Sequence, residues 1–223
     1  MGIKSNINAI NETLIIGCKL IAVSKTQPIE KIQEAYQTGQ RIFGENKAQE
    51  MQTKYEALPK DIKWHMIGHL QSNKVKYIAP FVSLIHSVDS VKLLEEINKQ
   101  GQKNNRIIPC LLQIYIANED TKFGFSQEEV IELLSNYPTS FTHVQLFGLM
   151  GMASFTNEQH QIRAEFRSLK VFFENIRMQP LPPQVEMREL SMGMSGDYQI
   201  GMEEGSTLVR IGTGIFGERN YSV

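Results

Sequence analysis

Two kinds of apolar spacing alternate along the chain. Short runs rich in aliphatic and β-branched residues occur at 19–24 (KLIAVS), 41–45 (RIFGE), 63–68 (KWHMIG) and 83–88 (SLIHSV). Four more follow at 107–116 (IIPCLLQIYI), 143–150 (HVQLFGLM), 186–192 (EMRELSM) and 206–212 (STLVRIG). Runs of this length and composition predict strands. Between them apolar positions recur every three to four residues, which predicts helices over 4–16, 28–38, 46–57, 72–79, 90–101, 127–136, 157–177 and 196–204. Pro28 suits a first helical turn. Asn46 with Gln49, and Ser126 with Glu129, read as capping boxes.

Eight strands separated by helical crossovers predict a parallel sheet with right-handed connections. Eight such units close into a single-domain (β/α)8 barrel of the α/β class, spanning residues 1–223. The rival is an open doubly wound sheet. Its first turn would be glycine-rich, whereas here that turn is Ser24-Lys25-Thr26-Gln27, and no GxGxxG follows any strand. The proline-rich stretch QPLPP at 179–183 reads as a loop rather than a domain linker.

Composition narrows the function classes. The 223 residues are 41% apolar and 21% charged, which excludes a disordered chain. Lys plus Arg number 23 and Asp plus Glu 24, a formal net charge of −1, which argues against a nucleic-acid partner. No apolar run nears the roughly 18 residues of a membrane span. The N-terminus lacks a signal-peptide core, and Asn6 stands where a myristoylation motif needs Ser or Thr, so a cytoplasmic protein with no membrane partner is expected. The sequons at Asn11 and Asn220 read as chance. Cys18 and Cys110 form no CxxC motif and are expected as buried thiols. A near-neutral chain with no clear apolar stripe is expected to be a monomer.

Barrel sites lie at the C-terminal ends of the strands. In this chain those positions hold Lys25, Glu45 and Asn46, His65 and Gly68, His86, Ser87 and Asp89, the segment Ser191–Asp197, and Arg210 with Gly212-Thr213-Gly214. A lysine at a barrel mouth is costly to keep charged, and its neutral amine forms Schiff bases with carbonyls. The alternative is a lysine that snorkels to solvent. The loops after strands seven and eight of such barrels commonly hold phosphate through backbone N–H groups. Here SMGMSGD and RIGTG stand at those places. Gly193, Gly212 and Gly214 permit close backbone approach, and Ser191, Ser195 and Thr213 add hydroxyls.

Lysine plus phosphate leaves two ligands open, a sugar phosphate held as in an aldolase, or pyridoxal 5′-phosphate. Arg210 shares the inward parity of the eighth strand with Gly212. A permanently charged guanidinium facing a pyridine nitrogen would keep that nitrogen unprotonated. The alternative for Arg210 is an ion pair with Glu45 or another barrel carboxylate. His65 and His69 are four apart but off a helix, which argues against zinc. Trp64, Met150 and Met152 read as core or pocket wall, Lys74 and Lys76 as a solvated helix face, and 120–124 as a loop with no assigned role.

Taken together, LIAVSKT, FGEN, WHMIGHLQSNK, HSVD, GLM, LSMGMSGD and VRIGTGIFGERNY resemble, in order, the signatures of the pyridoxal phosphate homeostasis protein family. Its fold is similar to the N-terminal barrel of alanine racemase. The resemblance implies pyridoxal phosphate as cofactor, held as a Schiff base on Lys25. It places Asn46 beside the cofactor, Ser195, Gly212 and Thr213 at the phosphate, and Arg210 at the pyridine nitrogen, with Ser191 counted among the cofactor-binding residues from its place in the loop after the seventh strand. It implies a carrier or buffer that supports vitamin B6 and amino-acid homeostasis without robust turnover, with pyridoxal-phosphate-dependent apo-enzymes as recipients.

The contrasting expectation is a small pyridoxal-phosphate-dependent racemase. Racemases of this fold take a second base from a further domain, and no such domain is expected after the eighth strand. A second base would have to come from His86, His65 or Tyr198. Departures from the family pattern occur at Gly151-Met152-Ala153, Gly214 and His69.

Overall fold

In the computed structural model, which describes residues 2–117 and 124–218, the eight apolar runs are eight strands. They are β1 (Lys19–Val23), β2 (Ile42–Glu45), β3 (Lys63–Met66), β4 (Leu84–Val88), β5 (Ile108–Tyr115), β6 (Val144–Met152), β7 (Val185–Met194) and β8 (Leu208–Ile211). All neighbours pair in parallel and in chain order, and β8 pairs with β1, so the barrel closes. Closure leaves no edge strand exposed.

The helices are α1 (Ile3–Thr13), α2 (Ile29–Gln37), α3 (Ala48–Ala57), α4 (Val75–Ile78, entered through a 3-10 turn at Ser72–Lys74), α5 (Val91–Lys103), α6 (Gln127–Ser135), α7 (Gln159–Arg177), α8 (Tyr198–Glu203) and α9 (Thr213–Phe216). No helix among the described residues is long and apolar enough to cross a membrane.

Local chemistry sets the ends of these helices. Ser126 accepts from the Glu129 amide while the Glu129 carboxylate takes the Ser126 amide, the capping box read from sequence. The box expected at Asn46 does not form. Helix α3 begins at Ala48 with Lys47 as N-cap and no side-chain cap. The reason is tight packing: a Cβ on Gly68 would come within 2.7 Å of Asn46 Cα, Cβ and O, so Asn46 stays against the end of β3. The first helix stops at Thr13 rather than 16, leaving Ile15 and Ile16 exposed ahead of Gly17. Cys110 is buried as expected, but Cys18 is only half-buried.

Strand alternation separates two cores. Outward side chains pack under the helices, with Trp64, Phe43, Phe166 and Phe173 among the largest fully buried. Inward, Ile21, Leu84, Leu111, Met150 and Leu208 form one apolar layer. Continuing the same parity along β3, β4, β7 and β8 brings His65, His86, Ser191 and Arg210 into the interior, and all four are buried. The polar content of this barrel interior is therefore fixed by strand register.

Register is itself irregular between β5, β6 and β7, with shifts at Leu146/Gly148 and Cys110/Leu111. Gly148 sits at φ +144, and a Cβ there would fall 1.8 Å from the Glu189 carbonyl oxygen. Only glycine permits that approach. Gly39, just past α2, also has positive φ (+97) but nothing within 4 Å. The expected outcome is that Gly148→Ala lowers unfolding free energy by more than about 3 kcal/mol, while Gly39→Ala costs only about 1 kcal/mol. Urea denaturation of the two variants checks this. Equal losses would contradict the close β6–β7 contact.

Candidate functional site

Lys25 follows β1 with the inward parity of Ile21 and Val23, and it is half-buried. The turn that carries it is held from the outer side of the sheet. Thr26 adopts φ +63, an uncommon conformation for a β-branched residue, and its amide donates to Glu50 Oε1 at 2.6 Å. The Ser24 amide donates to the Gly44 carbonyl and the Gln27 amide to the Ser24 carbonyl. The Ser24 hydroxyl donates to Glu45 Oε1 at 2.6 Å. Lys54 Nζ then joins the parts, donating to the Ser24 carbonyl (2.8 Å), Glu45 Oε1 (2.8 Å) and Glu50 Oε1 (2.7 Å). Lys54 and Glu45 are both buried, so removing either would strand a charge in a dry place.

Glu45 therefore faces α3, not the barrel interior, and the ion pair considered between Arg210 and Glu45 is absent. Burial lifts the Glu45 carboxyl to about 7, against the pull of Lys54 and Ser24. Lys54 had no role in the sequence reading. The signal was there: a carboxylate ending an apolar strand needs a cation, and Lys54 lies four residues after Glu50 on the next helix.

Arg210 is 4% exposed. Its Nη1 donates to Ser191 Oγ at 2.7 Å and its Nη2 to the Gly151 carbonyl at 3.1 Å. Burial pushes its pKa down to about 10, partly offset by Asp197, so it stays charged at neutral pH. The Ser191 hydroxyl is thus engaged inside the barrel, beside Arg210. It also lies 2.9 Å from His86 Nδ1, and His86 Nε2 lies 2.9 Å from His65 Nδ1.

The loops after β7 and β8 meet. The Gly212 amide donates to Ser195 Oγ at 3.2 Å. The Met194 amide donates to Asp197 Oδ1, closing the β7 loop. Gly193 has φ +93, and a Cβ there would come 2.9 Å from Tyr198 Cα. A Cβ on Gly212 would lie 3.3 Å from the Val23 carbonyl, so this loop borders the end of β1 as well. Gly212 caps α9, and the first amides of a helix have no partner in their own ladder. Asn46 is half-buried and lines a cleft with Met66, His69 and Lys74.

Other residues singled out by sequence separate. His69 Nδ1 pairs with Asp89 Oδ2 at the rim, 2.9 Å away, while His65 points inward. Among the described residues no three His, Cys, Asp or Glu cluster as metal ligands. Tyr198 Oη shares a hydrogen bond with Thr13 Oγ1. Lys74 and Lys76 lie near the Tyr77 ring. Residues 118–123, with most of the 120–124 loop, lie outside the described residues, as do Asn220 and the end of the last motif.

The family model for the N-terminal domain of alanine racemase matches residues 2–220. A pyridoxal phosphate homeostasis protein of Aquifex aeolicus is 42% identical over 204 residues, covering 91% of this chain and 88% of its own. The chain belongs to the pyridoxal phosphate homeostasis protein family. A mouse member is 41% identical over 92% of this chain and 78% of its own length. The structure of PipY from Synechococcus elongatus with pyridoxal phosphate bound is 34% identical, with TM-score 0.86, covering 96% of this chain and 100% of that one. Alanine racemase from Streptomyces coelicolor shares the fold, with TM-score 0.74 at 15% identity, and the present chain spans 58% of it.

The buried histidines set a pH dependence of stability. Burial holds His65 at about 3 and His86 well below 6.5. Unfolded chains take up both protons as pH falls through 6.5 and folded ones do not, so this stability is present above 6.5 and is lost toward 3. Glu45, with its folded value raised, contributes stability below 4.5 that is lost as pH rises through about 7. With two groups against one, urea-measured stability should fall as pH drops from 6.5 to 4.5. His65→Gln should make that limb shallower, and an unchanged slope would contradict a neutral buried His65.

Proposed function

We propose that the chain binds pyridoxal 5′-phosphate at the barrel mouth and carries or buffers it for vitamin B6 and amino-acid homeostasis. The observation that supports this most is a buried, charged Arg210 beside two loops shaped for an anion, with Lys25 at the end of the neighbouring strand β1. The relatives described above are named for pyridoxal phosphate homeostasis, and the PipY structure contains that cofactor.

The residues fit the group. Gly193 keeps the backbone bare where a side chain would collide with Tyr198, Gly212 does so where one would crowd Val23, and Ser195, Thr213 and the first amides of α9 suit a phosphate. Arg210 suits a pyridine nitrogen that accepts a hydrogen bond and carries no proton. Asn46 lies at the neighbouring strand end. Lys25 would hold the group covalently through its side-chain amine. When bound, the cofactor supplies an electron-withdrawing ring, which a cation at its nitrogen weakens.

A carrier is favoured over a racemase by where the candidate second bases lie. His86 and His65 are bonded to each other within the barrel, and Tyr198 is bonded to Thr13. All three are thus engaged away from a free position above a ring. In this reading the whole chain is one cofactor-binding domain, a cytoplasmic monomer that passes the cofactor to apo-enzymes that depend on it.

The test is to add pyridoxal phosphate to the purified protein, reduce with borohydride and map the modified peptide. The expected result is a visible absorption band that reduction removes, with the adduct on Lys25 and neither in Lys25→Ala. Labelling spread over surface lysines, with Lys25→Ala behaving as wild type, would overturn the assignment. D-alanine formed from L-alanine in proportion to protein, and lost in Lys25→Ala, would replace the carrier with an enzyme.

A further inference from the structure

Below Arg210 a line of buried polar side chains crosses the barrel interior from β8 to β3: Arg210, Ser191, His86 and His65. Three contacts of 2.7, 2.9 and 2.9 Å join them. Barrel interiors of this kind are normally filled by aliphatic layers, and here one such layer, around Ile21, Leu84 and Leu208, does exist. Four polar side chains in the same interior demand an account of their hydrogens.

Donor accounting gives a single arrangement. A guanidinium has donors only, so Ser191 Oγ accepts from Arg210. The Ser191 hydroxyl then needs an acceptor, and His86 Nδ1 is the other group bonded to it. If Ser191 donates to His86 Nδ1, that nitrogen carries no proton, and a neutral His86 carries its proton on Nε2. His86 Nε2–H must then donate to His65 Nδ1, which leaves the His65 proton on its own Nε2. Each of the three contacts then joins one donor to one acceptor. In the reverse order His86 Nδ1–H would point at Ser191, whose hydroxyl proton would be left over in a dry interior at a cost typical of an unsatisfied buried donor. A doubly protonated His86 would add a second cation one serine away from Arg210, with little water to screen the pair.

We propose that His86, fixed in its Nε2–H form by His65, is a positioning residue that acts through Ser191 to hold the Arg210 guanidinium in place at the cofactor ring. His86 does not touch the cofactor in this account. It gives Ser191 the acceptor that orients the Ser191 lone pairs toward Arg210, and His65 secures the ring of His86. The Gly151 carbonyl holds the second guanidinium nitrogen, so the two contacts fix both rotation and tilt. The functional consequence rests on the reading of Arg210 given above, whereas the proton arrangement stands on the hydrogen bonds alone.

The test has two arms. The first uses the cofactor-free protein labelled with 15N at histidine. At neutral pH two-dimensional spectra should show both rings neutral, with pyridine-like Nδ1 and pyrrole-like Nε2. The His86 Nδ1 signal should shift in Ser191→Ala. A pyrrole-like Nδ1 on His86, or a signal unmoved in Ser191→Ala, overturns the proposal. This arm needs no ligand, so it stands even if the protein fails to bind the cofactor, which would sink the proposed function alone.

The second arm measures affinity for pyridoxal phosphate and for inorganic phosphate. His86→Leu removes the acceptor and should weaken pyridoxal phosphate binding about tenfold, the scale of one hydrogen bond to a charged group. His86→Asn, whose Oδ1 can replace Nδ1 as acceptor, should restore affinity to within about threefold of wild type. Inorganic phosphate affinity should be the same in all three, since the phosphate loops do not include His86. Equal pyridoxal phosphate affinity in His86→Leu and wild type overturns the positioning role, and so does equal loss in the Leu and Asn variants. Should His86→Leu fail to fold, the wild-type spectra decide the matter.

Discussion

A permanent positive charge sits inside the barrel. Removing a guanidinium from water is expensive, and Arg210 is almost wholly out of it. The interior answers with neutral acceptors, Ser191 Oγ and the Gly151 carbonyl, and no carboxylate bonds it among the described residues. Neutral partners satisfy the donors without cancelling the charge. The cation's field therefore stays available at the barrel mouth, where low dielectric walls strengthen it. An anionic phosphate and a lone pair on an aromatic nitrogen are the kinds of group that such a site rewards. His86 responds to the same field in addition to its burial, while His65 is kept uncharged by burial and by Lys19 and Lys63.

The second constraint is that a lysine at the barrel mouth must be placed by backbone, because its own side chain is flexible. Strand β1 solves this by using its two faces for different purposes. Its inward parity leads to Lys25. Its outward parity ends in Ser24, which is tied to Glu45 and Lys54 beneath α3. The unusual φ of Thr26 is held by Glu50 of the same cluster. Strain of this kind persists only where the surroundings over-determine it, and here hydrogen bonds joining Ser24 and Thr26 to Glu45, Glu50, Lys54, Gly44 and Gln27 do so. The buried ion cluster outside the barrel and the polar line inside it thus serve the same mouth from opposite sides of the sheet.

Much of this was legible in the sequence, because strand and helix periods are local properties. The eight apolar runs gave the eight strands, and Ser126 with Glu129 gave a true capping box. The glycine-rich segments after the last two strands do converge, through Gly212 and Ser195. What was hidden depends on contacts between distant segments. Asn46 has the residue type of a cap, but Gly68 packs against its backbone and delays the helix. Ser191 lies in sequence beside the phosphate loops, although strand parity turns its hydroxyl toward Arg210. His65 and His86 were visible as polar residues in strands, yet their partnership needs the register of β3 against β4. Lys54 shows only its helical spacing from Glu50 in the sequence, because its other partners, Ser24 and Glu45, come from two strand ends that meet only once β1 and β2 pair.

The central claim is that Arg210 keeps its charge and presents it to the nitrogen of a bound pyridoxal ring. The most direct measurement is the 15N chemical shift of ring-labelled pyridoxal phosphate bound to the protein at neutral pH. The account predicts an unprotonated, pyridine-like nitrogen. A pyridinium-like shift in the wild-type protein would contradict it, because a protonated ring nitrogen cannot lie against a fixed guanidinium.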